Sequence, residues 1–345
     1  MEKIPIYYEQ CNKNTMAYYP FFIRKLKEIQ KLTKINTLRD VQSNILPEKK
    51  YYKLGNIVWN NSVVHKIEFH KNFPSEYFVK VILNTCIIDK NIINPPLQIN
   101  PDQISSFSYI SLGHNKLLII DALMEQGSHP RYLLPGDTSN EKFIYSEHSG
   151  AISIKNGVID NIIVSAATDR TDINDSTIFL PTNTPIFLNY EYIFHTHPNT
   201  SAYAGRLEDG IIYEFPSAND ILNFVKYYNE GKVQASIIVG PEGIYVIRQI
   251  MLRPKYEINH EIFDLIKKFI LKLEKIAIKN IKSDKYVISN ISDPDVFHEN
   301  VSYNFKYIKM YNDFIKKWNI FIEFYPRYKK NNEWCLRPIS LPFVF

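Results

Sequence analysis

Apolar positions divide the chain into stretches of two periods. Helical spacing is clear from Tyr18 to Leu32, where Phe22, Leu26, Ile29 and Leu32 recur every three or four residues. It returns from Asn115 to Gln126, ended by Gly127, and from Ala218 to Tyr228, opened by Pro216-Ser217 and closed by Gly231. The longest such run is Asn259 to Ile281, with Ile262, Leu265, Ile266, Phe269, Leu273 and Ile276 on one face. Strand-like runs occupy Tyr51 to Trp59, Val63 to Phe69, Phe143 to Ile154, Val158 to Ala166 and Tyr190 to Phe194. Two more, Ala235 to Val239 and Ile244 to Ile247, flank the turn Gly240-Pro241-Glu242-Gly243, and Lys155-Asn156-Gly157 is a second hairpin signal.

Breaks in the pattern suggest three regions. Asn94-Pro95-Pro96 to Pro101-Asp102 is rich in Pro and Asn and carries no period, and Pro254 stops the strand pattern that precedes it. The expected division is an α+β region over 1–104, a central core over 105–252, and a helical, aromatic region over 253–345. The tail from Asp295 onward has no clear period, and no internal repeat is visible.

Composition narrows the function class. The 345 residues carry 41 Lys+Arg against 36 Asp+Glu, a net +5 that is low for a dedicated nucleic-acid binder. Hydrophobic residues at 45% and charged residues at 22% fit a globular chain. Cys11, Cys86 and Cys335 are far apart and odd in number, so a disulfide framework is excluded and a reducing, cytoplasmic setting is expected. No secretory h-region opens the chain, and no run approaches the roughly 18 apolar residues of a membrane span.

The chemistry centres on His195-Thr196-His197-Pro198. In a strand, residues two apart point to one side, so both imidazoles can converge on one metal ion. By itself an HxH pair is more often structural or chance. Ser217-Ala218-Asn219-Asp220 reads by itself as a helix N-cap with an acidic N3 residue; beside two His it is also the source of a carboxylate ligand that a catalytic zinc site requires. Glu147, in Glu147-His148-Ser149-Gly150-Ala151-Ile152, is an acidic residue in an apolar strand; it is either a solvent-facing edge residue or a buried base.

Taken together, Glu147, His195-x-His197-Pro198 and Pro216-Ser217-x-x-Asp220 resemble the motif of the JAMM (MPN+) zinc metalloproteases in order and residue type. The resemblance covers about Ser106 to Ile250. It implies an α/β fold, a mixed curved sheet of cytidine-deaminase-like type flanked by helices, with the two terminal regions as additions. It also implies a Zn²⁺ ion held by His195, His197 and Asp220, with Glu147 as general base and Ser217 as hydrogen-bond donor to the developing oxyanion. The activity implied is hydrolysis of an amide, often the isopeptide that joins ubiquitin or a ubiquitin-like modifier to a lysine. The partners are then a protein conjugate and a possible accessory subunit, with no nucleic acid and no membrane. Two alternatives remain: trimming of a linear precursor tail, and a non-enzymatic scaffold in an assembly or virus particle.

The chain departs from the family in one place. Nineteen residues separate His197 from Ser217, where the family has a shorter spacer, and the extra stretch from Asn199 to Phe215 carries Tyr203, Glu208, Asp209, Tyr213 and Glu214. Such a spacer looks like the versions encoded by large DNA viruses, which adds a virion or viral factory to the expected locations. Its residues are candidates for substrate contact, or for an ordinary solvated loop. His148 should face away from Glu147's side, and His65, His70, His114, His129, His260 and His298 have no ligand-spaced partner. HExxH, GxGxxG, P-loop and H-x-E with PCxxC patterns are absent, and the lysine pairs fit a solvated face.

Overall fold

The computed structural model describes residues 8–9, 19–35, 50–54, 57–70, 72–75, 78–79, 81–82, 85–88, 91–94, 107–129, 131–132, 143–144, 146–155, 158–164, 188–198, 212, 215–251, 259–291, 293–302 and 305–344. The chain divides into two compact units: residues 1–109 with 342–345, and residues 110–341.

In the first unit, helix α1 (Tyr19–Leu32) packs its 22/26/29 face onto a small antiparallel sheet. The strands are β1 (Lys34–Ile35), β2 (Tyr51–Leu54) and β3 (Ile57–Asn60), in that order. Trp59 lies between Tyr52 and Phe78 at the centre of this core. Val63 to Phe69, expected as a strand, is instead part of helix α2 (Ser62–His70). The Asn60 carboxamide accepts from the Ser62 amide and opens the helix. Val63 and Ile67, four apart, are buried while Phe69 is 69% exposed, so the apolar residues serve a helical face and the apparent alternation is accidental. Lys27 of α1 pairs with Glu68 of α2 at 2.6 Å.

The second unit is built on a six-stranded mixed sheet flanked by helices. Helix α3 (His114–Gly127) precedes strands β4 (Ser149–Lys155), β5 (Val158–Val164) and β6 (Tyr192–Thr196). Then come helix α4 (Ala218–Glu230) and strands β7 (Ala235–Val239) and β8 (Gly243–Gln249). Helices α5 (His260–Ile281) and α6 (Lys306–Ile315) and strand β9 (Ile320–Pro326) complete it. The spatial order is β5-β4-β6-β7-β8-β9. All neighbours are antiparallel except β6 and β7, which run parallel with His195 beside Ile238.

Strands β7 and β8 are buried along their whole length, which is why they read as continuous apolar runs rather than alternating ones. On one face, Ile193, Ile238, Tyr245 and Phe324 meet α4, α5 and α6 through Ile221, Phe224, Ile266, Leu273 and Tyr311. Helix α3 packs against β6 and β7, with Gly127 next to the backbone of Ser146 and the ring of His148. The chain beyond 253 stays in this unit as far as Leu341, and β9 hydrogen-bonds along the whole of β8. No described helix is long and apolar enough to cross a membrane.

Gly150 shows how tightly β4 is set into this sheet. A Cβ there would lie 2.0 Å from the Ile163 carbonyl oxygen and 2.4 Å from the Phe194 ring. Gly150→Ala is therefore expected to destabilise the protein by about 1–3 kcal/mol, the usual range for overpacking. A thermal melt should show this as a fall of several degrees, and an unchanged midpoint would contradict the packing described.

Candidate metal centre

The site lies where β6 runs out of the sheet. The His197 amide donates to the Val239 carbonyl at 2.8 Å, so pairing with β7 continues past Thr196 and keeps His197 extended. On the other side, the Thr196 amide donates to the His148 carbonyl and the His148 amide donates to Thr196 Oγ1, both at 2.9 Å. These bonds clamp the chain ahead of β4 to β6. Glu147, expected within a strand, lies just before one: β4 begins at Ser149. Ser149 pairs with His195, and two more residues of the same register set Glu147 opposite His197. Glu147 thus shares the face of both imidazoles, while His148 takes the opposite face, as its place in the sequence predicts.

Asp220 arrives from the crossover. Ser217 is the N-cap of α4 and Asp220 its third residue, and they form a capping box. The Asp220 amide donates to Ser217 Oγ at 3.2 Å, and the Ser217 amide donates to Asp220 Oδ2 at 2.6 Å. The helix-cap reading is met on one oxygen, and the other is left where the ligand reading needs it. Oδ2 closes the helix, and Oδ1 turns toward the histidines.

Three ligand atoms converge there. His195 Nε2 lies 3.2 Å from His197 Nε2 and 3.2 Å from Asp220 Oδ1. All three residues offer ligand atoms within 4.8 Å of one another, and the residues are only 3%, 7% and 2% exposed. Tetrahedral bonds of about 2.0 Å to zinc place neighbouring ligand atoms about 3.3 Å apart, so the spacing suits such an ion. The donors also fit: Asp220 Oδ1 is buried with no well-formed hydrogen bond, only the 3.2 Å contact with His195 Nε2, a carboxylate oxygen that a cation would complete. Among the described residues this is the cluster of His, Cys, Asp and Glu with metal-binding geometry.

Electrostatics tie the site together. Burial acts to lower the His195 imidazole, yet Asp220 and Glu147 outweigh it and raise its pKa. Burial acts to raise Asp220, and His195, His197 and the Ser217 amide more than reverse that, holding the carboxyl low. Glu147 goes the other way. Burial pushes its carboxyl up to about 7; His195 opposes the rise and Asp220 adds to it. Glu147 is half-buried at this position.

The candidate contacts Tyr203, Glu208, Asp209, Tyr213 and Glu214 of the inserted spacer lie outside the described residues. Its Ile212 and Phe215 are described, and both are buried in the core. The Ile212 amide donates to Glu274 Oε2 of α5 at 3.0 Å. Two buried residues that hold neighbouring backbone escaped sequence reasoning. Tyr311 donates its hydroxyl to the Pro216 carbonyl, and Arg327 grips Asp121 of α3 together with the Gly240 carbonyl. Tyr311 sits in an apolar helical stripe and Arg327 ends an aromatic strand, positions that read as core and as surface charge.

The chain is 53% identical over 349 residues to the "Uncharacterized protein R413" of Acanthamoeba polyphaga mimivirus, an alignment spanning 97% of each. No protein-family profile and no solved structure matches it.

A divalent metal should bind at one ion per chain. Adding zinc to metal-free protein is expected to raise the melting temperature, as any ligand specific to the native state does. The His195→Ala, His197→Ala double variant should lose both the ion and the shift. Full zinc occupancy of that variant by elemental analysis would reject the ligand assignment.

Proposed function

Because the chain belongs to the same protein family as mimivirus protein R413, whose name carries no activity, we propose its function from the site itself: a zinc-dependent metallo-isopeptidase of the JAMM (MPN+) type. The observation that carries this reading is the convergence of His195 Nε2, His197 Nε2 and Asp220 Oδ1, with a carboxylate outside the ligand set sharing their face. Two imidazoles and one carboxylate are the donor set of a catalytic zinc, which leaves a coordination position open. A mixed sheet with helices on both faces, and ligands from a strand end and a helix start, agrees with an MPN-like fold.

His195, His197 and Asp220 would hold the ion. When bound, zinc supplies Lewis acidity and makes a hydroxide-like nucleophile available near neutral pH. Amide hydrolysis consumes one water: its oxygen bonds to the carbonyl carbon, the C–N bond breaks, and a proton reaches the leaving amine. Glu147 is the group suited to carry that proton. Burial raises its carboxyl to about 7, and a divalent cation held beside it would oppose that rise and favour the base form. Ser217 has a second task left over from capping. Its Oγ accepts from the Asp220 amide, so its hydroxyl proton remains to be donated to an oxyanion.

The lysine isopeptide of a ubiquitin-like conjugate is the proposed substrate, on the strength of the motif resemblance. The kinship with a viral protein is compatible with action in a virion or viral factory. A panel of di-ubiquitins and linear peptide fusions, incubated with and without a zinc chelator, tests this. Chelator-sensitive cleavage of the isopeptide-linked members is expected; cleavage of linear fusions alone would favour tail processing, and none at all a scaffold.

Glu147→Gln should retain the metal and lose hydrolysis by a factor of about 100 or more, since the carboxylate moves a proton and is not a ligand. Loss of zinc with activity would show that the role is misassigned.

A further inference from the structure

The Pro216–Ser217 peptide group is held at both ends. Its N–H donates to Asp220 Oδ2 at 2.6 Å, and its carbonyl accepts from the Tyr311 hydroxyl at 3.0 Å. Tyr311 lies on α6, ninety-five residues further along, and is 1% exposed. A peptide group is planar, so fixing its oxygen also fixes the direction of its N–H. That N–H holds one oxygen of Asp220 in the cap and so turns the other toward His195. Helix α6 is itself locked to the sheet: Asn312 donates to the Ile322 carbonyl at 2.8 Å and accepts from the Ile322 amide at 2.7 Å.

We propose that Tyr311 is a positioning residue for the metal site, orienting Ser217 and the Asp220 carboxylate through the Pro216 carbonyl. The C-terminal segment is thereby part of the site's machinery, although it contributes no ligand. This rests on the metal reading above, so its test includes a measurement that needs no metal.

The same helix offers a matched control. One turn earlier, Tyr307 is 2% exposed, and its hydroxyl accepts from the Asn280 side chain at 3.1 Å, with no link to the site. Tyr311→Phe and Tyr307→Phe each remove one hydroxyl and keep the ring, including the contact of ring 311 with Phe269. Both should fold, with melting temperatures within a few degrees of each other. Tyr311→Phe is expected to weaken zinc or Co²⁺ affinity about tenfold, the usual effect of losing an outer-shell partner, and to shift the visible absorption of the Co²⁺ form. In metal-free protein, the Ser217 amide should exchange about fivefold faster, as losing about 1 kcal/mol of support implies. Tyr307→Phe should change none of these.

Equal affinity, spectrum and exchange in Tyr311→Phe and the unmodified protein would overturn the proposal, as would identical effects from both variants. If the unmodified protein binds no metal, the metal reading fails, and faster exchange at Ser217 in Tyr311→Phe alone still supports positioning.

Discussion

One parallel pairing in an otherwise antiparallel sheet governs this site. Antiparallel neighbours can be joined by a tight turn, whereas β6 and β7 run side by side in the same direction and need a crossover. That crossover must leave the carboxyl end of β6 and return to the amino end of β7, and its helix α4 lies across the sheet on the way. The start of α4 therefore lies beside the end of β6. Strand ends of this kind are where α/β sheets place ligands, because the backbone there is no longer fully paired with neighbours. His195 and His197 come from one side of that junction, and Ser217 and Asp220 from the other.

Burying two imidazoles and a carboxylate at such a point is unfavourable unless each polar atom is used. The division of labour on Asp220 shows how little is left over. One oxygen terminates the helix, so the residue would be expected at this position on helix-capping grounds alone. The other is left facing two nitrogens in the protein interior. For Glu147, opposite His197 on the neighbouring strand, desolvation outweighs the attraction of His195, and its proton affinity rises where that of Asp220 falls. Two carboxylates a short distance apart are thus driven to opposite states by their surroundings, one suited to hold a cation and the other to exchange a proton.

The sequence carried the local parts of this arrangement well. Periodicity located α1, α3, α4 and α5 to within a few residues, because each has a full apolar stripe and, in α4 and α5, an explicit cap at Ser217 or Asn259. Strand spacing placed the two histidines on one face, and the motif named Glu147, Ser217 and Asp220. Long-range features were not readable. Strand β9, Ile-Phe-Ile-Glu-Phe-Tyr-Pro, is buried on both sides, so it shows no alternation, and Glu323 within it is explained by Arg248 of the neighbouring strand, 2.5 Å away, with help from the Tyr325 hydroxyl. Helix α2 was misread for a related reason: Val63 and Ile67 satisfy either period, and only the core beneath them decides. Tyr311 could not be distinguished from packing by any local signal.

The crossover has a further property. At its near end, His197 and Pro198 are buried and pinned to β7. At its far end, Ile212 and Phe215 are sunk into the core, and Ile212 is bonded to α5 before the ligand helix begins. Chain length between two points fixed in this way is nearly free to vary, since doubling a flexible loop costs only about 0.6 kcal/mol in closure entropy. The chain between them can thus be lengthened, shortened or rewritten by mutation while His195, His197 and Asp220 keep their places. Descendants of one ancestor could acquire different targets here without having to evolve a new site.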